Sequence, residues 1–290
     1  MADFIRLFRG PFHAERPPFY FTSMTGAACH GRISASSQRK RLFMRILLCI
    51  DDTDNLESRG TGDLAAELAR ELENNGWGES SYITRHQLLV HPDIPYTSHN
   101  SAMCFAAEIE ASCLERIIDY AAAFLARESA AGSDPGLCVA TVDRLDDPEQ
   151  LIAFGRKAKQ SVVSMAEAYA LAEQLGVHLS EHGGSGQGVI GALAGAGLRL
   201  SGNDGRLKGH LSIGATNGRA TVEELCFHPD VDEVRGLCGS VLARAEMVRL
   251  GDRIKTVLLD GKSVLLVVPA EGAADGIAWQ TCSKQRLKSY

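Results

Sequence analysis

A buried strand followed at once by three carboxylates constrains this chain more than any other feature. Residues 45–50 form a nearly unbroken apolar run, which is typical of a strand buried on both faces. Asp51, Asp52 and Asp54 come directly after it. A glycine turn and leucines at helical spacing follow, so the stretch predicts a strand, an acidic loop and a helix.

The turn before this helix combines residues that let a backbone approach a phosphate closely: Gly60, Thr61 and Gly62. Asp63 stands where an N-cap is expected, just before the leucine repeat. Free amides at a helix start favour anions. We therefore expect the turn to bind the phosphates of ATP.

The three carboxylates predict a magnesium–nucleotide site. In an open α/β sheet they would lie at the carboxyl end of a strand, where ligand crevices occur. Three like charges repel one another, and Mg²⁺ typically takes one or two carboxylates plus substrate phosphates. Asp51, Asp52 and Asp54 are therefore the predicted catalytic and metal-binding residues, with ATP and Mg²⁺ as cofactors. The alternative is a solvated turn after a strand.

The charge of the chain is uneven. Residues 1–43 hold seven Lys/Arg and two Asp/Glu, whereas the other residues hold 23 basic and 34 acidic side chains. The folded part therefore lacks the overall basic charge of a protein that holds nucleic acid mainly through phosphate contacts. A local basic patch is compatible with this balance.

The 290 residues divide into three predicted parts. Residues 1–43 mix prolines, aromatics and a basic end, and are expected to be disordered or a non-native extension. Residues 44–200 read as an α/β (α+β) domain with an open mixed sheet and flanking helices. Residues 201–290 read as a smaller β-rich region, with a hairpin at Asp260-Gly261.

The cysteines and the hydropathy predict a cytoplasmic protein that does not span a membrane. None of the eight cysteines forms a C-x-x-C pair, which argues against a zinc ribbon and for a reducing compartment. No apolar run reaches the roughly 18 residues of a membrane helix.

A second glycine-rich stretch leads into a helix of small residues. Its glycines are further candidates for phosphate binding: Gly183, Gly184, Gly186 and Gly188. The stretch is neither a Walker A motif nor a clear G-x-G-x-x-G motif. The alternative is a tight turn before a closely packed helix. His182, at its edge, is a candidate phosphate contact.

The loop at residues 91–100 supplies the remaining candidates. Arg85 on the preceding strand and His99 are candidates to bind phosphate, and Thr97 and Asn100 to contact the substrate, Asn100 by orienting a nucleophile. The alternative is a polar surface loop fixed by its two prolines.

Four motifs in the same order resemble the kinase-like N-terminal domain of the archaeal isoleucine-tRNA 2-agmatinylcytidine synthetases. They are IDDTDN (50–55) with the glycine turn after it, HPDIPYTSHNSAMCF (91–105), SDPGLCVA (133–140) and GQGVIGALAGAGL (186–198). The resemblance implies a kinase-like domain with a ferredoxin-like subdomain. It also implies that ATP phosphorylates a cytidine carbonyl before agmatine displaces the phosphate, with the three aspartates serving Mg–ATP.

The chain departs from that family at several points. The family's phosphorylated threonine has no certain counterpart: Thr61 is the nearest hydroxyl, and Asp63 is a candidate fixed negative charge at that position. The family's OB-fold and zinc ribbon, which hold the tRNA, are not matched. We therefore expect a nucleotide and a small-molecule or nucleoside-like acceptor as partners, and tRNA only with the help of a partner protein.

Two other functions fit the same residues. A haloacid-dehalogenase-like phosphohydrolase would use Asp52 as nucleophile and Asp54 as acid/base, but it needs a second acidic pair, for which Asp146 and Asp147 are the candidates. A non-catalytic nucleotide or RNA sensor would keep the fold without the acceptor chemistry.

Overall fold

The computed structural model describes residues 42–94, 100–215, 217–270 and 276–290. Thr97, His99 and residues 1–41 lie outside these ranges, so the expectations placed on them stay predictions. The described helices are α1 (Thr61–Asn74), α2 (Leu114–Glu128), α3 (Pro148–Ala158), α4 (Met165–Leu175), α5 (Gly188–Leu200) and α6 (Val222–Cys226).

The described strands form one open mixed sheet, as the sequence predicts. They are β1 (Phe43–Asp51), β2 (Gly78–Ser80), β3 (Thr84–Gln87), β4 (Ser101–Glu110), β5 (Gly136–Thr141), β6 (His178–Glu181), β7 (Arg206–Leu207), β8 (Arg219–Thr221), β9 (Glu233–Gly236), β10 (Met247–Arg249), β11 (Val257–Leu259), β12 (Lys262–Pro269) and β13 (Trp279–Thr281). Their order across the sheet is β6-β5-β1-β4-β3-β7-β11-β12-β13-β10-β8, with β2 added beside β4 and β9 beside β12.

The first half of the sheet has ferredoxin-like topology. The chain runs β1-α1-β3-β4-α2-β5, and these strands lie in the order β5-β1-β4-β3 with every neighbouring pair antiparallel. A split β-α-β arrangement of this kind is the ferredoxin-like motif. The ferredoxin-like subdomain implied by the family resemblance is therefore present.

Strand β1 is apolar throughout because helices cover both of its faces. Ile46 and Leu48 point into one core, against α1 and α2, whereas Leu47 and Cys49 point into the other, against α3, α4 and α5. Successive side chains of a strand alternate between faces, so a strand with two buried faces cannot alternate polar with apolar residues. Asp51, the last residue of this strand, is buried as well.

Helix α5 lies unusually close to the sheet because both surfaces are built from small side chains. A side-chain carbon at Gly195 would lie 2.6 Å from the Sγ atom of Cys49 and 2.7 Å from the Cβ atom of Ala102. Cys104 and Cys138 stand directly opposite Cys49 on the two neighbouring strands. These buried cysteines act as small core residues, and the close approach brings the start of α5 to the end of β1.

Short pairings join the C-terminal strands to the first half of the sheet. Arg206 in β7 pairs with β3 on one side and with Val257 of β11 on the other. The predicted hairpin is confirmed: β11 and β12 flank Asp260 and Gly261, whose φ angles of 50° and 70° fit a type I′ turn. The division at residue 200 stays a prediction.

One local prediction was wrong. Helix α1 begins at Thr61 after Gly60, so Asp63 lies inside its first turn and is not the N-cap. The segment after α1 forms two separate short strands, β2 and β3, which both pair with β4. Within the described ranges, every helix is too short or too polar to cross a membrane.

Candidate functional site

The predicted acidic loop opens into a cleft of about 260 Å³ at the end of β1, which we call the acidic cleft. Three segments that are distant in sequence meet there: Asp51, Asp52 and Asp54 after β1, Gly60, Thr61 and Gly62 at the start of α1, and Gly188 with Gly191 at the start of α5. Arg85 and Asn100 line the same cleft.

Asp51 is the most deeply placed of the three carboxylates. Its side chain is 7% exposed and lies against Gly191, where an added side chain would overlap the carboxylate. Burial, together with the neighbouring charge of Asp52, raises the pKa of Asp51 to about 8. This carboxyl therefore holds a proton well above the pH at which an aspartate normally releases it.

Asp52 adopts a left-handed backbone conformation, with φ of 50°. Burial, together with the charges of Asp134 and Asp54, raises its pKa to about 6. Few residues other than glycine, asparagine and aspartate take this conformation, so the backbone restricts which residues can stand at this position.

Asp54 accepts a hydrogen bond from the first N–H of α1. The backbone N–H of Thr61 donates a hydrogen bond to Oδ2 of Asp54 at 3.4 Å, and Gly60 provides no side-chain cap. One of the helix amides that we expected to face a phosphate is thus directed to a carboxylate instead.

The second glycine stretch lines the acidic cleft at its end, with Gln187 and Gly188. Gly184 packs on Ser133 and Asp134, and Gly186 has φ of 80° and faces the carboxylate of Glu181. Gly183 packs on Ser133 and Pro135 and, like Gly184 and Gly186, does not line the cleft.

His182 also lies outside the acidic cleft. Its Nε2 atom shares a hydrogen bond of 2.8 Å with the hydroxyl of Ser180, which in turn contacts His178 at 2.9 Å. Burial lowers the pKa of His182, and His178 lowers it further. These contacts hold the ring of His182 in place, and its role as a phosphate contact stays a prediction.

Arg85 and Asn100 are held in fixed positions on the cleft wall. The Nε atom of Arg85 donates to the hydroxyl of Ser101 at 2.9 Å, and Nδ2 of Asn100 donates to the carbonyl of Leu89 at 2.6 Å. Burial and the nearby charge of Arg206 lower the pKa of Arg85.

Asp134 is a functional candidate that sequence reasoning missed. Its carboxylate accepts hydrogen bonds from the backbone and hydroxyl of Ser185, and its carbonyl accepts from the N–H of Gly188 at 3.1 Å. Its charge also raises the pKa of Asp52. Asp134 therefore connects the second glycine stretch to the acidic cleft. It belongs to the SDPG motif at residues 133–136, which supports the family resemblance but does not by itself indicate a site residue.

No ready-made metal cage exists in the described part of the chain. Across those ranges, no three or more His, Cys, Asp or Glu side chains are grouped so that they could hold a metal ion by themselves. A cation in the acidic cleft would thus take fewer protein ligands and complete its shell with other oxygens, which is the usual arrangement for Mg²⁺.

Curated relatives match about half of the chain. It is 30% identical over 160 residues to the isoleucine-tRNA 2-agmatinylcytidine synthetase of Methanosarcina acetivorans, covering 54% of this chain and 36% of the relative. The synthetase of Methanosarcina mazei is 30% identical over 159 residues, covering 53% and 36%. The chain is therefore homologous to these synthetases over about half of its length and spans about a third of theirs, which confirms the resemblance drawn from the four motifs. No family model matches the chain.

A solved structure of such a synthetase is similar to the same share of the chain. The crystal structure is that of a complex with the isoleucine tRNA and ATP. Its identity to this chain is 25% and the TM-score is 0.47, covering 53% of this chain and 36% of that one.

Proposed function

We propose that this chain binds ATP with Mg²⁺ in the acidic cleft and transfers a phosphoryl group to an acceptor. The proposal is supported by homology to isoleucine-tRNA 2-agmatinylcytidine synthetases over 160 residues. Because the chain spans 36% of that relative, the activity of the whole enzyme is not carried over with the homology.

The observation that carries the proposal is the meeting of three distant segments in one cleft. The carboxylates after β1, the start of α1 at Thr61 and the start of α5 at Gly188 all line it. Phosphoryl transfer needs positioning and charge neutralisation more than covalent chemistry. The carboxylates would attract a cation, and the two helix starts present the positive ends of their dipoles to a phosphate.

The residues of the cleft fit a magnesium ion bound together with a nucleotide. Asp52 lies half-buried in the field of Asp54 and Asp134, which raises the pKa of its carboxyl, so a cation would relieve the repulsion. Asp51 and Asp52 are the expected protein ligands, and phosphate oxygens would supply others. Bound there, Mg²⁺ would neutralise part of the charge on the phosphates.

Arg85 and Asn100 are the side chains best placed to orient the reactants. The guanidinium of Arg85 lines the cleft without an ion-pair partner in the described ranges, so it is available to a phosphate. Gly188 lies at the start of α5 and lines the same cleft, with its backbone packed closely on Asp134 and Gly136. Gly183, Gly184 and Gly186 act in this proposal by shaping the turn that leads to Gly188.

The phosphohydrolase alternative lacks its second acidic pair at this site. Asp146 and Asp147 precede α3 and are absent from the described residues that line the acidic cleft. The cleft therefore supports a nucleotide-dependent transfer better than a two-aspartate hydrolysis.

Labelled ATP tests the proposed function. The chain is incubated with Mg²⁺, ATP labelled at the γ-phosphate and candidate acceptors such as cytidine, a cytidine-containing oligonucleotide and tRNA, and AMP, ADP, phosphate and phosphorylated acceptor are resolved. Transfer of label to an acceptor is the expected result. ATP binding without any turnover across these acceptors would instead identify a nucleotide sensor, and label trapped on Asp52 would identify a phosphohydrolase.

A further inference from the structure

A second cleft of about 260 Å³ adjoins the acidic cleft and shares the wall formed by Gly60, Gly62, Arg85 and Met103. We call it the basic cleft because of its cationic side chains: Arg85, Arg206, Lys208, Arg253, Lys255 and Lys284. Among its described lining residues, Asp63 is the one carboxylate. This concentration of positive charge occurs in a chain whose net charge is −6.

Among the described residues, an ion pair neutralises one of these cations. Asp63 pairs with Lys208, with 2.9 Å between Oδ1 and Nζ. In the described part of the chain, the other five cations form no ion pair with a carboxylate. Burial lowers the pKa of Lys255, and the charges of Arg206 and Arg85 lower it further, which shows that the cations repel one another.

Two of the cations are forced together by the sheet. Arg85 and Arg206 are direct cross-strand partners in the β3–β7 pair. Like charges in this position destabilise a sheet. Arg206 is only 7% exposed, and its Nε atom has no hydrogen-bond partner among the described residues. A buried guanidinium N–H without a partner is costly, and an anion in the cleft would relieve both costs.

We propose that the basic cleft is a phosphate-binding subsite that holds two or more phosphate groups of a phosphorylated acceptor. The inference rests on the proposed function, because the shared wall at Arg85 would place these phosphates beside the nucleotide in the acidic cleft. Besides Arg85 on the shared wall, four cations without an ion pair remain among the described residues, which exceeds what a single phosphate needs. The matching ligand chemistry is therefore a polyphosphate or a short single strand of nucleic acid.

Binding of a short RNA in the absence of ATP and Mg²⁺ tests the subsite separately from the proposed function. Fluorescence anisotropy follows a labelled single strand of about five nucleotides, which needs only a few phosphate contacts, and inorganic pyrophosphate is titrated in a parallel arm. The double variant Lys255→Gln/Lys284→Gln removes two cations from the cleft. It should weaken binding at least tenfold and reduce the salt slope by about 1.4, since each contact to a single strand contributes roughly 0.7.

The matched control removes two charges elsewhere. Arg70 on α1 and Arg116 on α2 are exposed, so Arg70→Gln/Arg116→Gln changes the net charge equally without touching the cleft. Equal weakening by both double variants would overturn the proposal, because it would mean non-specific attraction alone. Melting temperatures verify that the variants fold. A preference for RNA over pyrophosphate would identify a nucleic-acid strand as the source of the phosphates, and equal binding would identify a small polyphosphate.

Competition separates an acceptor subsite from a nucleotide site. Mg–ATP should leave the RNA bound if the two ligands occupy different clefts. Displacement of the RNA by Mg–ATP would assign the basic cleft to the nucleotide and overturn the acceptor assignment. Failure of ATP to bind would count against the proposed function and would leave the RNA result standing.

Discussion

The carboxylate of Asp51 lies directly against the α-carbon of Gly191, where β1 ends beneath the first turn of α5. A glycine inside a helix normally costs stability, by about 1 kcal/mol relative to alanine. Here the missing side chain makes room for a buried acid beside a helix start. The close packing of α5 on the acidic cleft therefore depends on a glycine at position 191.

Gly191→Ala should destabilise the fold by about 1–3 kcal/mol, because the new methyl group would overlap a buried carboxylate that cannot easily move. Helix propensity alone would stabilise the fold by about 1 kcal/mol. The sign of the change in unfolding free energy therefore shows which of the two effects is larger. Urea unfolding provides the measurement. Gly214→Ala is the control, since nothing lies within 4 Å of a side chain there.

Asp52→Asn should reduce the Mg²⁺-dependent part of ATP affinity at least tenfold, about 1.4 kcal/mol. Asparagine also tolerates the left-handed backbone of this position, so the fold should persist. Calorimetric ATP titrations with and without Mg²⁺ measure the effect. Glu57→Gln removes the same charge from the same loop outside the acidic cleft. Equal affinities in the two variants would remove Asp52 from the metal assignment.

Asp52→Gly should stabilise the protein by about 0.5–1 kcal/mol while abolishing the Mg²⁺-dependent ATP affinity. A φ of 50° costs aspartate more than glycine, and the substitution also removes a carboxyl whose pKa is raised by burial and by its neighbours. A rise in melting temperature with a loss of ligand binding is the signature of strain kept for function. A lower melting temperature would show that Asp52 contributes to folding.

The stability of the ligand-free protein should fall as the pH rises from about 4 to about 8. The folded chain keeps a proton on Asp51 up to a pKa of about 8, whereas the unfolded chain releases it near 3.8. The folded state thus binds more protons across this window, and each pH unit costs about 1.4 kcal/mol for one such group. Urea unfolding in a chelating buffer measures the slope. Asp51→Asn should flatten it, and an unchanged slope would refute the assigned pKa.

The local sequence predicted the elements that position the acidic cleft. Burial dictates the apolar run of β1 and the leucine spacing of α1. Both patterns are visible in the sequence, so both elements could be predicted from it. The start of α1 could not, because the helix begins two residues before Asp63, and its first N–H, that of Thr61, donates to the loop residue Asp54. That contact comes from a loop residue whose position the pattern does not encode.

Contacts between segments distant in sequence create the two features that local patterns could not predict, the place of Asp134 in the site and the basic cleft. Asp134 joins the site because β5 pairs with β1, so that Gly136 stands beside Asp51. The basic cleft forms because β7 pairs with β3 and brings Arg206 next to Arg85. A strand of two residues carries no periodic signal, so neither the pairing nor the resulting cluster of cations could be predicted.

Gly186→Val should lower stability without lowering ATP affinity at temperatures below the melting point. Gly186 has φ of 80° and faces Glu181 outside the acidic cleft, so a side chain would strain the backbone and displace that carboxylate. The expected loss of unfolding free energy is about 1–3 kcal/mol.

Gly132→Val is the control that isolates the backbone strain. Gly132 has φ of 83°, and an added Cβ atom there would have no neighbour within 4 Å, so the difference between the two variants measures the contact with Glu181. Urea unfolding and ATP titration are done on both. A tenfold loss of ATP affinity in Gly186→Val alone would show instead that this turn contacts the phosphates of ATP, as the glycine pattern predicts.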